Sequence, residues 1–462
     1  MRRVALLRLA RATPGVVRGV LMAEESGRQE EGSPAGTTAA EAERLRAWQI
    51  RIFALLWTGY AAYYLCRVNF AVAQPSLLRE FGWTSTQVGW IPSIYAAFYA
   101  FGQFINGQLG ERFGARRLMT AALLIAAGTN VAFSFVSSYP AMLALWALNG
   151  YAQSAGWSLV IKTISNWTTA NRRGTIVGLI STCYQVGHVA SWLLAGWLCD
   201  SGWGWRSAFL VPGLLLLPVA AVFVFGLRND PRDAGFPPVR DDLGGTAGAR
   251  GAPARRLGGA EVLRLTLANR TLWVLGIGFF CMNSVRYAFM NWAVQYMADF
   301  HGRSIKGSAF TAVALPLIGA AGAVSAGWAS DTLFGKRRAP LCAILQFALA
   351  VLCVVFVHVP PGHWMLATAM LGVAGFLIYG PDMLMSGAAT IDLSHPQTAA
   401  AATGFIMACG ATGAIFSGAG IGWLRDATAG QWTTTFYVLA GLATVSALLM
   451  VSLWNARPKG AK

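Results

Sequence analysis

The stretch GQLGERFGARR, residues 107–117, joins two apolar segments and contains a glycine, an acid four residues later, another glycine after the acid and a basic pair. The same order returns in GWASDTLFGKRR, residues 327–338, where Asp331 takes the place of Glu111. The two starting positions differ by 220 residues, since 327 − 107 = 220. A repeated loop of this kind between apolar segments indicates two similar halves built from membrane-spanning helices.

The composition is that of a membrane protein. The chain has 462 residues, of which 55% are hydrophobic and 12% are charged, and its mean hydropathy is +0.50. An average soluble domain carries about 25% charged residues. Apolar runs long enough to cross a bilayer, which takes roughly twenty residues, recur from Arg51 almost to the C-terminus. We predict an all-α membrane protein with twelve transmembrane helices in two pseudo-symmetric six-helix bundles.

The twelve predicted spans are numbered in chain order. They lie near 50–73, 86–108, 117–136, 139–161, 174–199, 206–227, 271–297, 308–329, 339–358, 364–389, 398–424 and 432–454. The predicted domains are a disordered cytoplasmic tail over 1–49, a first bundle over 50–228, a cytoplasmic linker over 229–270, a second bundle over 271–455 and a cytoplasmic tail over 456–462. Residues 1–21 are Arg-rich and free of acids, so Met22 is an alternative start.

The net charge of +17 lies mostly in short loops, tails and the linker, where Lys and Arg set membrane orientation. We therefore predict a multi-pass protein of the cell inner membrane, with both termini in the cytoplasm and no nucleic-acid partner. The seven cysteines are scattered and show no metal-ligand spacing. No nucleotide-binding, hydrolase or paired-carboxylate motif is present, so the sequence predicts neither an enzyme nor a bound cofactor or metal.

Two arginines lie inside predicted spans at equivalent positions of the repeat. Arg67 is in YYLCRVNF, residues 63–70, and Arg286 is in CMNSVRYAFMNWA, residues 281–293; 286 − 67 = 219. An arginine at the centre of a spanning helix costs roughly 2.5–3.5 kcal/mol on insertion scales. Two guanidinium groups facing one central cavity would bind a phosphate or carboxylate dianion. The alternative, that buried acids neutralise both arginines and merely tie helices together, is less favoured for a symmetric pair.

Polar and aromatic residues share helix faces with the two arginines. Tyr60, Tyr64 and Arg67 recur at helical spacing, and span 2 carries a polar stripe of Tyr95, Tyr99, Gln103 and Asn106. The predicted substrate-binding residues are Arg67, Arg286, Tyr60, Tyr64, Tyr99, Gln103, Tyr184, Asn283, Tyr379 and Asp382. Asp382 is interpreted first as a counter-ion of an arginine, and alternatively as a proton carrier or a ligand for a cationic substrate group.

The two repeated loops are interpreted as conformational latches, whose charged residues pair with helix ends in one state and separate in another. The predicted gating residues are Glu111, Arg112, Arg116, Asp331, Lys336 and Arg337.

The repeated loops resemble those of the major facilitator superfamily. Within it, the chain resembles the organophosphate:phosphate antiporter family over essentially all of 50–455. The matching segments are YYLCRVNFAVAQP (63–75), SAGWSLVIKTISNW (154–167), VRYAFMNWAVQYM (285–297) and GFLIYGP (375–381). This resemblance implies the major facilitator fold and exchange of a phosphate ester for inorganic phosphate by rocking of the two halves. It also places the family's phosphate-binding arginines on Arg67 and Arg286, and pocket tyrosines on Tyr60, Tyr64, Tyr99 and Tyr379.

Four positions depart from the family pattern and make the pocket less cationic. Val68 follows the first arginine where the family often has lysine, and Gln103 replaces a pocket lysine. Tyr184 stands where a histidine is expected, and Asp382 adds a negative charge in place of a neutral residue.

The leading hypothesis is a monomeric secondary transporter for a phosphorylated small organic anion of the sugar phosphate or glycerol phosphate class. It would exchange this anion for inorganic phosphate across the lipid bilayer by alternating access. One alternative is proton-coupled symport of an organic anion or a zwitterionic phosphate ester. Another is a sensor that binds a sugar phosphate without transporting it.

Overall fold

The computed structural model of the protein describes residues 39–239, 259–335, 337–394 and 398–456. Throughout these ranges the regular secondary structure is helical. Eight helices of the described residues are long and apolar enough, by length and composition, to cross a membrane. Predicted spans 1, 2, 4 and 5 do not meet that criterion; spans 1 and 4 are each divided into two shorter helices.

The first half contains the helices of spans 1 to 6. Their bounds are Ala39–Leu65 and Asn69–Phe81 (span 1), Ser85–Phe135 (spans 2 and 3), Tyr139–Gln153 and Ala155–Trp167 (span 4), Ala170–Cys199 (span 5) and Gly204–Gly226 (span 6). Span 1 begins earlier than predicted, so the expected disordered tail is too long: residues 39–49 are helical, because AAEAERLRAWQ consists largely of strong helix formers.

The second half contains spans 7 to 12. A helix over Gly259–Leu267, within the predicted linker, precedes Arg270–Asp299 (span 7), Ile305–Ala312 and Ala314–Thr332 (span 8) and Arg338–Val357 (span 9). Span 10 comprises Trp364–Met383, a π-helical turn over Leu384–Ala388 and Ala389–Leu393. Span 11 comprises Ala399–Ile415, a second π-helical turn over Phe416–Gly420 and Ile421–Ala427, and span 12 is Trp432–Ser452.

The two repeated loops share an unusual backbone conformation. Gly114 separates spans 2 and 3 with a φ of 77°, and Gly335 separates spans 8 and 9 with a φ of 56°. Glycine adopts this left-handed region without the steric penalty of a Cβ atom. The glycine that follows the acid in each motif is therefore required by the turn itself, in both halves.

Equivalent helix pairs approach closely in the two halves. A Cβ atom on Gly150 of span 4 would overlap the carbonyl oxygen of Tyr95 on span 2. Likewise, a Cβ atom on Gly375 of span 10 would overlap the carbonyl oxygen of Leu315 on span 8. Small residues at such contacts allow two helix backbones to approach within a membrane, so spans 2 and 4 repeat the packing of spans 8 and 10.

Each half has its own aromatic core near the end opposite Ala39 and residues 227–239, which we call the outer face after the predicted orientation. In the first half, the Phe133 and Phe209 rings stack at 4.4 Å. In the second half, the Phe356 and Phe436 rings stack at 4.8 Å. Because closely packed interiors resist deformation, each core favours movement of its half as one body.

Candidate substrate-binding site

Span 1 is interrupted where Arg67 lies. Its first helix ends at Leu65 and its second begins at Asn69, although residues 63–70 contain neither proline nor glycine. The break is stabilised from outside the span: the carbonyl oxygen of Cys66 accepts hydrogen bonds from the side-chain amides of Asn130 (3.3 Å), Asn149 (2.8 Å) and Gln153 (3.0 Å). These amides from spans 3 and 4 replace helical hydrogen bonds, as membrane-buried irregular backbone requires.

Aromatic rings surround the guanidinium group of Arg67. Its Nε donates a 2.6 Å hydrogen bond to the hydroxyl of Tyr95, which donates to Gln153 at 3.2 Å. The guanidinium carbon lies 4.6 Å from the ring centroid of Tyr99 and 5.1 Å from that of Tyr64. Among the described residues no carboxylate lies within ion-pair distance of Arg67. Its charge is thus held by π faces and a hydroxyl, which leaves it able to bind an anion.

Arg286 lies in a similar aromatic setting but has an acidic partner. Its guanidinium carbon is 5.1 Å from the ring of Tyr287 and 5.2 Å from the ring of Tyr379. Its Nη1 forms a 3.1 Å ion pair with Asp382 and a 3.5 Å contact with the Asn283 side-chain oxygen. Asp382 therefore occupies the position of a counter-ion. The Nε of Arg286 and the Nδ2 of Asn283 are buried without a hydrogen-bond partner, which leaves donors for a ligand.

The two arginines act electrostatically on a common region. Tyr64 and His188, both in the first half, lie within electrostatic range of Arg67 and also of Arg286 in the second half. His188 is buried and packs edge-on against Trp192 at 4.4 Å. Positive charge from both halves therefore converges beside span 1 and span 5.

The remaining predicted binding residues extend the first-half group. The Tyr60 ring lies 5.4 Å from the rings of Trp157 and Tyr184, and Tyr184 lies 6.1 Å from Tyr64. Gln103 lies close to Tyr99. The structure thus groups Tyr60, Tyr64, Tyr99, Gln103 and Tyr184 with Arg67, and Asn283, Tyr379 and Asp382 with Arg286. Tyr95, seen in the polar stripe but absent from the predicted binding residues, accepts the 2.6 Å hydrogen bond from Arg67.

In the first repeated loop, the described contacts stay within the first half. The backbone N–H of Arg116 donates to Asn229 at 2.8 Å, and its Nε donates to the carbonyl oxygen of Val224 at 2.7 Å. Arg112 is exposed and lies 5.5 Å from the Phe113 ring. The side chain of Glu111 lies outside the described part of the structure. Arg116 thus fixes the loop to the end of span 6.

In the second repeated loop, Asp331 pairs with Arg338 at 2.5 Å. Arg338 also lies 3.4 Å from Asp392 of span 10. Arg337 precedes the first residue of span 9, and Lys336 lies outside the described residues. The prediction omitted Arg338, although it is the third basic residue of GKRR and lies seven residues after Asp331. Gating by these loops stays a prediction.

A family model of the Major Facilitator Superfamily matches residues 56–418. The chain is 30% identical over 434 residues to a probable hexose phosphate transport protein of Chlamydia pneumoniae, covering 91% of this chain and 94% of the relative. It is 32% identical to the membrane sensor protein UhpC of Salmonella typhimurium, covering 90% and 93%. It is 29% identical to the glycerol-3-phosphate transporter of Bacillus subtilis, covering 89% and 93%.

Among solved structures, a bacterial homolog of the human lysosomal transporter Spinster aligns with a TM-score of 0.68 at 17% identity, over 88% of this chain and 95% of that one. This likeness supports the fold alone. The predicted twelve-helix membrane fold is confirmed. The family match and the transporter relatives also confirm the prediction that the chain is not an enzyme. The chain belongs to the major facilitator superfamily and, within it, to the organophosphate:phosphate antiporter family.

Proposed function

We propose that the chain carries a phosphorylated small organic anion, of the sugar phosphate or glycerol phosphate class, across the membrane in exchange for inorganic phosphate. The observation that carries this proposal is the pair of arginines, Arg67 and Arg286. They come from equivalent positions of the two halves and act on the same region beside Tyr64 and His188. The names of the hexose phosphate and glycerol-3-phosphate relatives support the substrate class.

The asymmetry of the pair suggests an order of binding. Arg67 lacks a carboxylate partner among the described residues and would bind the phosphate first. Arg286 would then join through donors that Asp382 leaves unused, such as its buried Nε. A bound phosphate would offset the repulsion between the two guanidinium groups and draw the halves together. Rocking of the halves around the bound ligand would then expose it to the other side.

The protein would reside as a monomer in the inner membrane, with its termini and linker in the cytoplasm, as the Lys/Arg distribution favours. A second candidate function is sensing without transport, which the 32% identity to a membrane sensor protein favours. Both functions share the anion site, so binding of a phosphate ester alone does not separate them, whereas transport does.

The test is uptake of labelled phosphate into proteoliposomes that contain the purified full-length protein and unlabelled phosphate. We expect exchange that sugar phosphates or glycerol phosphate inhibit. Arg67→Ala and Arg286→Ala should each lower exchange roughly 100-fold, because each removes charge-assisted hydrogen bonds of about 1.5–3 kcal/mol. Arg206→Ala is the matched control, since that arginine pairs with Glu80 near the outer face. Phosphate-ester binding without any exchange would support the sensor instead.

A further inference from the structure

The two arginines differ in charge environment, and this difference has consequences for the ligand. Arg286 is paired with Asp382 at 3.1 Å, and their side chains are only 19% and 18% exposed. Arg67 has no such partner among the described residues. Arg67 and Arg286 contribute two positive charges and Asp382 removes one, which leaves a net charge of +1.

A charge of +1 matches some phosphate esters better than others. A dianionic ester would leave the occupied site at −1, and in a poorly solvated cavity an uncompensated charge is costly. An ester with a phosphate dianion at one end and an ammonium group at the other carries −1 overall and leaves the site neutral. The ammonium group also provides a partner for the Asp382 carboxylate when the phosphate engages Arg286.

We propose that Asp382 makes the site selective for phosphate esters of net charge −1, in particular those with an ammonium group at the end remote from the phosphate. This inference rests on the proposed exchange of phosphate esters and narrows the ester to one that also carries an ammonium group. The ammonium group would bind Asp382 while the phosphate binds Arg67 and Arg286. Because Asp382 touches Arg286 directly, the two ends of the ligand are separated by little more than an ion-pair distance, which favours a short ester.

The test compares two competitors of phosphate exchange that differ only at the remote group: aminoethyl phosphate and hydroxyethyl phosphate. At about pH 8 both phosphates are dianions and the amine is protonated, since their pKa values lie near 6 and 10. For the wild type we expect the amino ester to compete about tenfold better. Asp382→Asn should abolish or reverse this preference, whereas Asp382→Glu, which keeps the charge, should retain it.

The outcomes separate this inference from the function on which it rests. Absence of phosphate exchange in folded wild-type protein would overturn the proposed function itself. Exchange with equal competition by both esters, or an unchanged preference in Asp382→Asn, would overturn only the assignment of Asp382. Tighter competition by hydroxyethyl phosphate on acidification, without a preference for the amine, would show that a proton takes the place of the ammonium group.

A separate observation concerns the outer face. There, an acid at the end of a helix in each half contacts the start of a helix in the other half. The carboxylate of Asp426, at the end of span 11, accepts hydrogen bonds from the backbone N–H groups of Ser85 and Thr86 at 2.8 Å each. It also accepts one from the Thr86 hydroxyl at 2.6 Å. These groups form the start of span 2, so an acid of the second half caps a helix of the first.

The reciprocal contact is present between spans 5 and 8. Asp200, directly after span 5, accepts a 3.1 Å hydrogen bond from the backbone N–H of Lys306 at the start of span 8. Span 5 corresponds to span 11 and span 2 to span 8, so the repeat relates the two caps. Glycines bring the same helices together: a Cβ atom on Gly418 would overlap Gly89, and one on Gly196 would lie 2.6 Å from Ala309.

We infer that Asp426 and Asp200 form a pair of symmetry-related latches that hold the outer ends of the two halves together. Each latch joins a carboxylate of one half to the positive end of a helix in the other. Opening of the outer face must break both, whereas contacts inside each half are unaffected. The latches thus stabilise the state in which the outer face is closed, independently of the ligand.

The test measures distances between spin labels at Ser138→Cys and His363→Cys, two exposed outer positions in different halves, after replacement of the native cysteines. Asp200→Ala with Asp426→Ala should shift the population towards longer distances, by about tenfold in the open-to-closed ratio. Glu80→Ala, which removes an outer ion pair within the first half, should leave the distribution unchanged. An unchanged distribution in the folded double variant would overturn the assignment.

Discussion

Arg67→Lys is expected to lower phosphate exchange at low external phosphate by about 30-fold, even though the positive charge is kept. The Nε of Arg67 donates to Tyr95 while the guanidinium carbon lies over the rings of Tyr99 and Tyr64. The terminal amino groups are therefore the ones that would bind phosphate through two parallel hydrogen bonds. A lysine supplies a single ammonium group and loses both the fork and the flat contact with the rings. Initial rates measured against phosphate concentration would report the loss.

The matched control is Arg206→Lys, because Arg206 also combines a side-chain hydrogen bond, to Glu80 at 2.7 Å, with a nearby aromatic ring, that of Trp205 at 4.5 Å, but lies near the outer face. It should exchange phosphate like the wild type. If Arg67→Lys stayed within about threefold of the wild type, charge alone would suffice. Arg67 would then not bind the phosphate through two parallel hydrogen bonds.

Arg286→Ala, which should lower exchange roughly 100-fold, is also expected to destabilise the protein. Removal of one partner from a buried ion pair costs about 3–5 kcal/mol. Because Arg286 and Asp382 each retain nearly a fifth of their exposure, we expect roughly 2 kcal/mol here. The second substitution Asp382→Asn removes the unpaired carboxylate, so the double variant should regain most of the lost stability. Thermal unfolding in detergent, compared among the wild type, both single variants and the double variant, measures this coupling.

Transport by the double variant separates a structural role from a binding role. If Arg286 binds the ligand, the restored stability brings no exchange, because one of the two phosphate-binding arginines is still missing. Recovery of exchange to near the wild-type rate would mean that Arg286 serves only to neutralise Asp382. In that case the proposal that both arginines bind the phosphate would have to be abandoned.

Much of the fold follows from the sequence, because the determinants are local and repeated. Apolar runs of membrane length and the loops containing Gly114 and Gly335 predict two similar halves, and the family model and the structural likeness confirm the fold. The start of span 1 at Ala39 was missed because the low-complexity tail and the amphipathic start of the helix have similar polarity. Boundaries of this kind depend on helix propensity rather than on hydrophobicity.

The site was predicted less completely, because its contacts join distant parts of the chain. Arg67 and Arg286 are conspicuous by charge alone, but nothing near Arg67 in sequence identifies Tyr95, 28 residues away, as its hydrogen-bond partner. The pairing of Arg286 with Asp382 spans 96 residues. Helical periodicity places residues on a face of one helix but does not say which faces meet. The break at residues 66–68 was invisible for the same reason.

That break has a consequence for how the site tolerates sequence change. The Cys66 group that spans 3 and 4 recognise is a backbone carbonyl, which every amino acid possesses. Residue 66 should therefore tolerate replacement by other small apolar residues. Asn130, Asn149 and Gln153 should not tolerate replacement, because their side chains donate the hydrogen bonds. The position of Arg67 thus depends on three amide side chains that lie far from it in sequence. A search for mutations that alter the substrate is therefore better directed at the aromatic residues of the pocket than at these three amides.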